Sequence, residues 1–252
     1  MTATTRVFPV LHVTDQGASR TEAAVVEESS LTIVFNGQEL VTLLCSLGDP
    51  QYLAAGFVQS QGLIKSREDI KTMAVDSPGV VSIETVKKVD VSPGCMLTSS
   101  GGRDSGIRQP RKVSAGHQMR VPAARVFALM NDLEDRSWTF RATGGVHSAA
   151  LCSTDGMLIF NEDIGRHNAI DKVFGHCLLQ GTVAKNSLVL TSGRVSSEIL
   201  LKAAMRDVPV IASRNAPTDL AIKLADDLGM TAVGFVRGED MTVYTNDWRI
   251  IH

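Results

Sequence analysis

Apolar and polar residues change their spacing several times along the chain, and each change marks an element. Between residues 21 and about 90, short apolar runs alternate with turn residues. In SLTIVFNGQELVTLLC the Asn36-Gly37 pair divides two runs and predicts a hairpin, and in DIKTMAVDSPGVVSIETV the turn falls at Ser77-Pro78-Gly79. Between these hairpins the spacing becomes helical in GDPQYLAAGFVQSQGLI. Asp49 stands where an N-cap is wanted, Pro50 suits the first helical position, and Leu53 and Phe57 share a face. A small sheet carrying one helix is expected.

From residue 90 to about 121 the periodicity disappears. Glycine, serine, arginine and proline dominate, and four basic residues fall between Arg103 and Lys112, the signature of a linker or functional loop. Helical spacing returns in VPAARVFALMNDLEDRSW, where Val126, Leu129, Met130 and Leu133 line one face. Strands and helices then alternate. HSAALCS and MLIFNED flank a turn at Thr154-Asp155-Gly156, and the helix RHNAIDKVFGHCLLQ ends at Gly181. SLVLTS, SSEILLKAAMRD, VPVIAS, PTDLAIKLADDLG, TAVGFVRG and MTVYTN follow in turn. This order predicts the α/β class: a C-terminal three-layer domain over residues 123–252 with a mostly parallel or mixed sheet, behind a smaller N-terminal α+β domain over residues 1–122.

Composition sharpens the picture. With 252 residues, 44% of them hydrophobic and 21% charged, the chain can bury a sizeable core, and a net charge of −2 gives no global basic footprint for nucleic acid or an anionic membrane. The start, MTATTRVFPVL, lacks a signal-peptide pattern, and no apolar run approaches the ~18 residues that span a bilayer, so a cytoplasmic location is expected. Cys45, Cys152 and Cys177 lie in apolar surroundings and read as core thiols. Cys95, in SPGCMLTSSGGRDSG, stands apart: Arg103, Arg108 and Arg111 are close enough in sequence to favour its thiolate.

In open α/β sheets, ligands collect at the carboxyl ends of strands, where helix N-termini present free N–H groups. NEDIGRHNAIDK puts Arg166 and His167 at such a junction. His167 and Asp171 are four residues apart, which allows either an oriented His–carboxylate pair or a plain capped helix with Asp163 near its start. TSGRVSSE supplies Arg194 and a cap at Ser196 or Ser197. ASRNAPT supplies Arg214, with Pro217 opening the next helix, and GFVRGED supplies Arg237. A shared phosphate or nucleotide explains arginines at successive strand ends; independent surface arginines are the alternative. In TGGVHSAAL, Gly144 and Gly145 precede a strand that begins at His147, where close ligand approach and an ordinary strand-entry turn both fit. Trp138 and Trp248 read as packing residues.

Taken in order, FRATGGVHSAAL, FNEDIGRHNAIDKVFG, LVLTSGRVSSEILLKAA, VPVIASRNAPTDLAIKLADDLGMTAVGFVRG and the earlier YLAAGFVQSQGLI resemble the FdhD family, the formate dehydrogenase accessory sulfurtransferases. The resemblance implies a cytidine-deaminase-like C-terminal domain. It also implies persulfide transfer from a cysteine desulfurase to the bis-molybdopterin guanine dinucleotide cofactor of a formate dehydrogenase apoprotein, and a homodimer. GDP is then a natural fragment mimic. By the same resemblance Phe235, Val236, Arg237, Gly238, Glu239 and Asp240 contact the cofactor, joined by the candidates Arg166, His167, Arg194, Arg214, Gly144 and Gly145. The chain lacks the His-x-Glu and Pro-Cys-x-x-Cys motifs of zinc deaminases, so no metal site and no zinc are expected. Where the family carries Cys-Gly-x-Cys this chain has Gly101-Gly102-Arg103-Asp104, which leaves Cys95 as the candidate catalytic thiol. A cofactor-binding chaperone without sulfur transfer is the alternative.

Overall fold

A computed structural model describes residues 5–87, 89 and 119–252. Cys95 and most of the expected loop over residues 90–121 lie outside the described residues. The chain opens on a hairpin that no turn motif signalled. Strands β1 (Thr5–Thr14) and β2 (Gly17–Val26) pair antiparallel along their whole length as a two-stranded ribbon.

The two expected hairpins build the next sheet. β3 (Ser29–Phe35) and β4 (Gln38–Cys45) join through Asn36 and Gly37, both at positive φ (50° and 80°), as a two-residue turn matching strand twist requires. β5 (Ile70–Ser77) and β6 (Val80–Thr85) join through Pro78 and Gly79. The order is β4-β3-β6-β5, with β3 and β6 parallel at the centre. Leu31, Ile33, Phe35 and Ile83 of this sheet share a core with Leu53 and Phe57 of helix α1 (Pro50–Ser60). Asp49 does precede that helix, but it sits in the left-handed region at φ 55° and its side chain makes no cap hydrogen bond. A capping side chain works from an extended backbone, which this residue does not have.

The second sheet is mixed and runs β13-β12-β11-β10-β8-β9. Its strands are β8 (His147–Cys152), β9 (Met157–Asp163), β10 (Leu188–Thr191), β11 (Val210–Ser213), β12 (Thr231–Arg237) and β13 (Asp240–Val243), with β10, β11 and β12 parallel. Side chains alternate across it. Ala149, Leu151, Val189, Ile211 and Ala232 bury one face against helices α4 (Arg166–Gln180), α5 (Ser197–Ala204) and α6 (Asp219–Leu228). Ala150, Cys152, Leu190, Ala212 and Val233 bury the other against Val126, Leu129, Met130 and Leu133 of α2 (Ala123–Arg136), the stripe read from the sequence. The architecture is therefore mixed α/β with helices on both faces of the larger sheet. Met119 and Val121 already belong to this second core, and β7 (Val121–Pro122) pairs with β14 (Ile250–Ile251), so the packing unit starts ahead of the division expected after residue 122. No helix among the described residues is long and apolar enough to cross a membrane.

Helices α1 and α4 hold the two sheets together at a crossing made of glycines. A Cβ on Gly56 would lie 1.8 Å from the Asp171 carbonyl oxygen, and one on Gly175 would lie 1.9 Å from that of Tyr52. Beside this crossing, Lys172 is buried and makes an ion pair with buried Asp163 at 2.7 Å. Its ammonium also donates to the Ser46 carbonyl at 2.8 Å, while Asp163 accepts from the Ser46 N–H and hydroxyl at 3.2 Å. Ser46 follows β4, so this network fastens the end of the first sheet to the start of α4.

Candidate functional site

The parallel strands β10, β11 and β12 end at one edge of the larger sheet, where the antiparallel β8 begins. At this edge opens a cavity of about 560 Å³, within the usual range for a pocket that takes one small ligand. Arg214 and Arg237 come to it from the ends of β11 and β12, His147 and Ser148 from the start of β8, and Ser192 from the end of β10. Phe140 and Arg141 come from the short helix α3 (Trp138–Thr143), and Glu134 and Asp135 from the last turn of α2.

Local hydrogen bonds shape this wall. Ser192 Oγ accepts from the Ser148 N–H at 2.9 Å and lies 3.3 Å from His147 Nδ1. The Asn215 side-chain amide donates to the Ser192 carbonyl at 2.7 Å, and Ser213 Oγ donates to the Gly193 carbonyl at 2.7 Å. Glu162, buried beneath the pocket, accepts from the N–H groups of Thr139 and Phe140 at 3.3 and 3.2 Å and so caps α3 from outside it. The start of α3 is thereby fixed relative to β9.

Positive charge dominates the surroundings. Burial, then Arg166 and Arg194, push the His147 pKa below the ordinary histidine range, which favours its neutral imidazole. Burial, followed by Lys202, Arg166, His147 and Arg194, takes His167 down to about 3. The ring is therefore neutral, so its 3.3 Å approach to Glu198 is not an ion pair, and Nε2 has Ser196 Oγ as its hydrogen-bond partner, also at 3.3 Å. Of the cations lining the cavity, Arg214 pairs with Glu134 at 2.9 Å, and Arg237 Nε donates to the Arg214 carbonyl at 3.3 Å, which draws the two guanidinium-bearing residues together.

The sequence candidates thus divide. Arg214 and Arg237 line the cavity. Arg166 lies behind it, its buried Nε without a hydrogen-bond partner, and packs where Gly193 has no side chain: a Cβ there would be 2.7 Å from Arg166 Cβ. Arg194 is exposed and acts on both histidines through its charge. The proposed His167–Asp171 pair does not form. His167 turns toward Ser196 and Glu198 at the start of α5, whereas Asp171 pairs with Lys202 farther along the same helix and accepts from Ser60 Oγ at 2.7 Å. Asp163 is no simple cap, because Lys172 and Ser46 claim one of its oxygens. Ser196 does cap α5, accepting from the Ile199 N–H, but Pro217 precedes α6, which Thr218 caps instead.

The stretch from Phe235 to Asp240 does not act as one surface. A bulge between Gly234 and Arg237 places Phe235 at φ 54°, exposed; Val236 turns into the core; and Glu239 and Asp240 line a separate cleft of about 880 Å³ with Trp248 and Asp247. Arg120 lines that cleft beside the three carboxylates. Gly238 is exposed in the connecting turn at φ 57°. Gly144 ends α3 in the left-handed conformation, and Gly145 lies against Val26, whose Cγ1 would be 2.6 Å from a Cβ there.

Neither tryptophan is a core residue: Trp138 is 67% exposed beneath the Arg141 guanidinium, 4.3 Å from its ring, and Trp248 stacks with Arg249. Glu134, Arg141, Ser192 and Asn215 were missed as site residues. Asn215 adjoins Arg214 and was legible; Glu134 and Arg141 lie where periodicity carries no signal. Cys45, Cys152 and Cys177 are buried free thiols as expected, and burial pushes each up to about 12, far from a reactive thiolate.

Residues 26–251 match the model of the FdhD/NarQ family. The chain is 42% identical over 241 residues to a sulfur carrier protein FdhD of Bacillus subtilis, covering 92% of both chains. It is 36% identical over 254 residues to one of Halalkalibacterium halodurans, covering 96% of this chain and 94% of the other. In structure it resembles a candidate formate dehydrogenase accessory protein from Desulfotalea psychrophila, with a TM-score of 0.81, 27% identity, and coverage of 98% and 99% of the two chains.

Proposed function

The chain belongs to the FdhD/NarQ family, and from that footing we propose that it is a cytoplasmic sulfur carrier and accessory protein of a formate dehydrogenase. In this reading it receives persulfide sulfur from a cysteine desulfurase and delivers it to the bis-molybdopterin guanine dinucleotide of the client apoenzyme. The larger sheet with its two helical layers is read as a cytidine-deaminase-like scaffold given over to holding that substrate. The cavity at its carboxyl edge carries the proposal. Arg214 and Arg237 suit a diphosphate, Arg141 and the neutral His147 flank it, and about 560 Å³ suits one guanine nucleotide half of the substrate.

Sulfur carriage falls to Cys95, since burial keeps the other three cysteines protonated and out of reach. The Cys95 thiolate attacks the outer sulfur of the desulfurase persulfide. The donor's S–S bond breaks, its thiolate leaves, and a persulfide forms on Cys95 without any net oxidation. Incubation with a cysteine desulfurase and cysteine is expected to add one sulfur atom to the wild type, read by intact mass, and none to Cys95→Ser. Equal loading of Cys95→Ser would overturn this assignment.

One observation favours a second reading. Gly101-Gly102-Arg103-Asp104 stands in place of the family's cysteine pair, as in a protein that holds the substrate for delivery but relays no sulfur. An unloaded wild type whose Cys95→Ser variant still restores formate dehydrogenase activity to a strain lacking its accessory factor would establish that reading.

A further inference from the structure

Glu134 and Asp135 lie in the last turn of α2, the pole at which a helix carries partial negative charge and disfavours carboxylates. Arg136 in the same turn is already taken by Asp132, at 2.8 Å. Glu134 and Asp135 instead meet cations of the carboxyl-edge cavity, which both residues line. Glu134 Oε1 lies 2.9 Å from Arg214 Nη1, and Asp135 Oδ1 lies 3.9 Å from Arg141 Nη1. The two contacts differ. The Arg214 and Glu134 side chains are 34% and 36% exposed, whereas that of Asp135 is 84% exposed and at the limit of pairing distance. Glu134 is thus an internal anion held on one of the two arginines that suit a phosphate.

We propose that Glu134 is a built-in competitor for the ligand's phosphate, which must displace it from Arg214, and that this exchange sets which anions the cavity retains. The inference rests on the reading that the cavity takes a phosphate-bearing ligand. A monoanion gains Arg214 only by giving up an equal charge already in place. A diphosphate carries more than one negative charge and several acceptor oxygens, and Arg237, whose Nε donates to the Arg214 carbonyl at 3.3 Å, supplies a second cation for them. The exchange therefore favours diphosphates over simple carboxylates. It also keeps binding reversible, as delivery to a client requires. Once displaced, the Glu134 carboxylate can turn to solvent, because its side chain is already partly exposed.

Calorimetric titration with GDP tests it on the full chain. Glu134→Gln removes the charge at nearly constant shape. It is expected to keep the melting curve and to bind GDP about three- to fivefold more tightly than the wild type, the scale at which a partly exposed ion pair holds its partners. In the Arg214→Ala background the same change should shift affinity by less than about twofold, since no guanidinium is left to compete for. Asp132→Asn, which removes an equal charge from the same helix outside the cavity, should bind GDP as the wild type does. Unchanged or weaker binding by Glu134→Gln would overturn the proposal, weaker binding making Glu134 a positioning residue for Arg214. A gain that Asp132→Asn matches, or that persists without Arg214, would overturn it as well. GDP binding by neither the wild type nor Glu134→Gln would overturn the underlying reading of the cavity and the proposal with it.

Discussion

Gly175→Ala is expected to destabilise the protein by about 3 kcal/mol or more, at the upper end of what overpacking costs. The reason is local. The added methyl would meet backbone on two sides, 1.9 Å from the Tyr52 carbonyl oxygen and 2.7 Å from the Gly56 nitrogen, and backbone cannot rotate out of the way as a side chain can. Gly56→Ala meets the same obstacle from the facing helix, so the two substitutions together should cost less than the sum of each alone, since separating α1 from α4 relieves both. Urea unfolding, with the midpoint followed at constant slope, measures the effect. Little change in either variant would mean that the crossing is looser than the structure describes.

Lys172→Met is expected to cost about 3–5 kcal/mol, the usual penalty for leaving a buried charge without its partner. The ammonium is 1% exposed and its partner carboxylate 0%. Removing the ammonium strands Asp163, which Ser46, Gly165 and Asn168 still bond but no longer neutralise. Asp163→Asn in the same chain removes the stranded charge, so the double variant should recover part of the loss. A double-mutant cycle in urea reads that coupling directly. Additive losses would show that the pair is not coupled.

Much of this architecture is legible in the residue pattern. Asn36-Gly37 and Pro78-Gly79 are local devices whose geometry follows from residue type, and the stripe from Val126 to Leu133 follows from period alone. The ribbon of β1 and β2 escaped because its residues are not sorted into a buried and a solvated face: Val7, Phe8, Leu11 and Val13 are all exposed on the single chain. The arginines at strand ends were recognisable from the βα alternation, but their roles were not. Whether Arg214 meets a ligand or Glu134 depends on where α2 ends relative to β11, a distance no spacing rule contains. The His167–Asp171 reading failed for a related reason. Helical spacing sets a shared face, yet Lys202 and Ser60 lie nearer to the carboxylate than the histidine does, and tertiary partners take precedence over the pair.

On the proposed function, the carboxyl-edge cavity takes the guanosine diphosphate end of the substrate. Calorimetric titration with GDP tests it most directly, with Asp247→Asn in the separate acidic cleft as the control. Saturable binding to the wild type is expected, with at least about tenfold weaker binding to Arg214→Ala and to Arg237→Ala and no change in Asp247→Asn. Equal affinity across the wild type and both arginine variants, or a loss confined to Asp247→Asn, would contradict it.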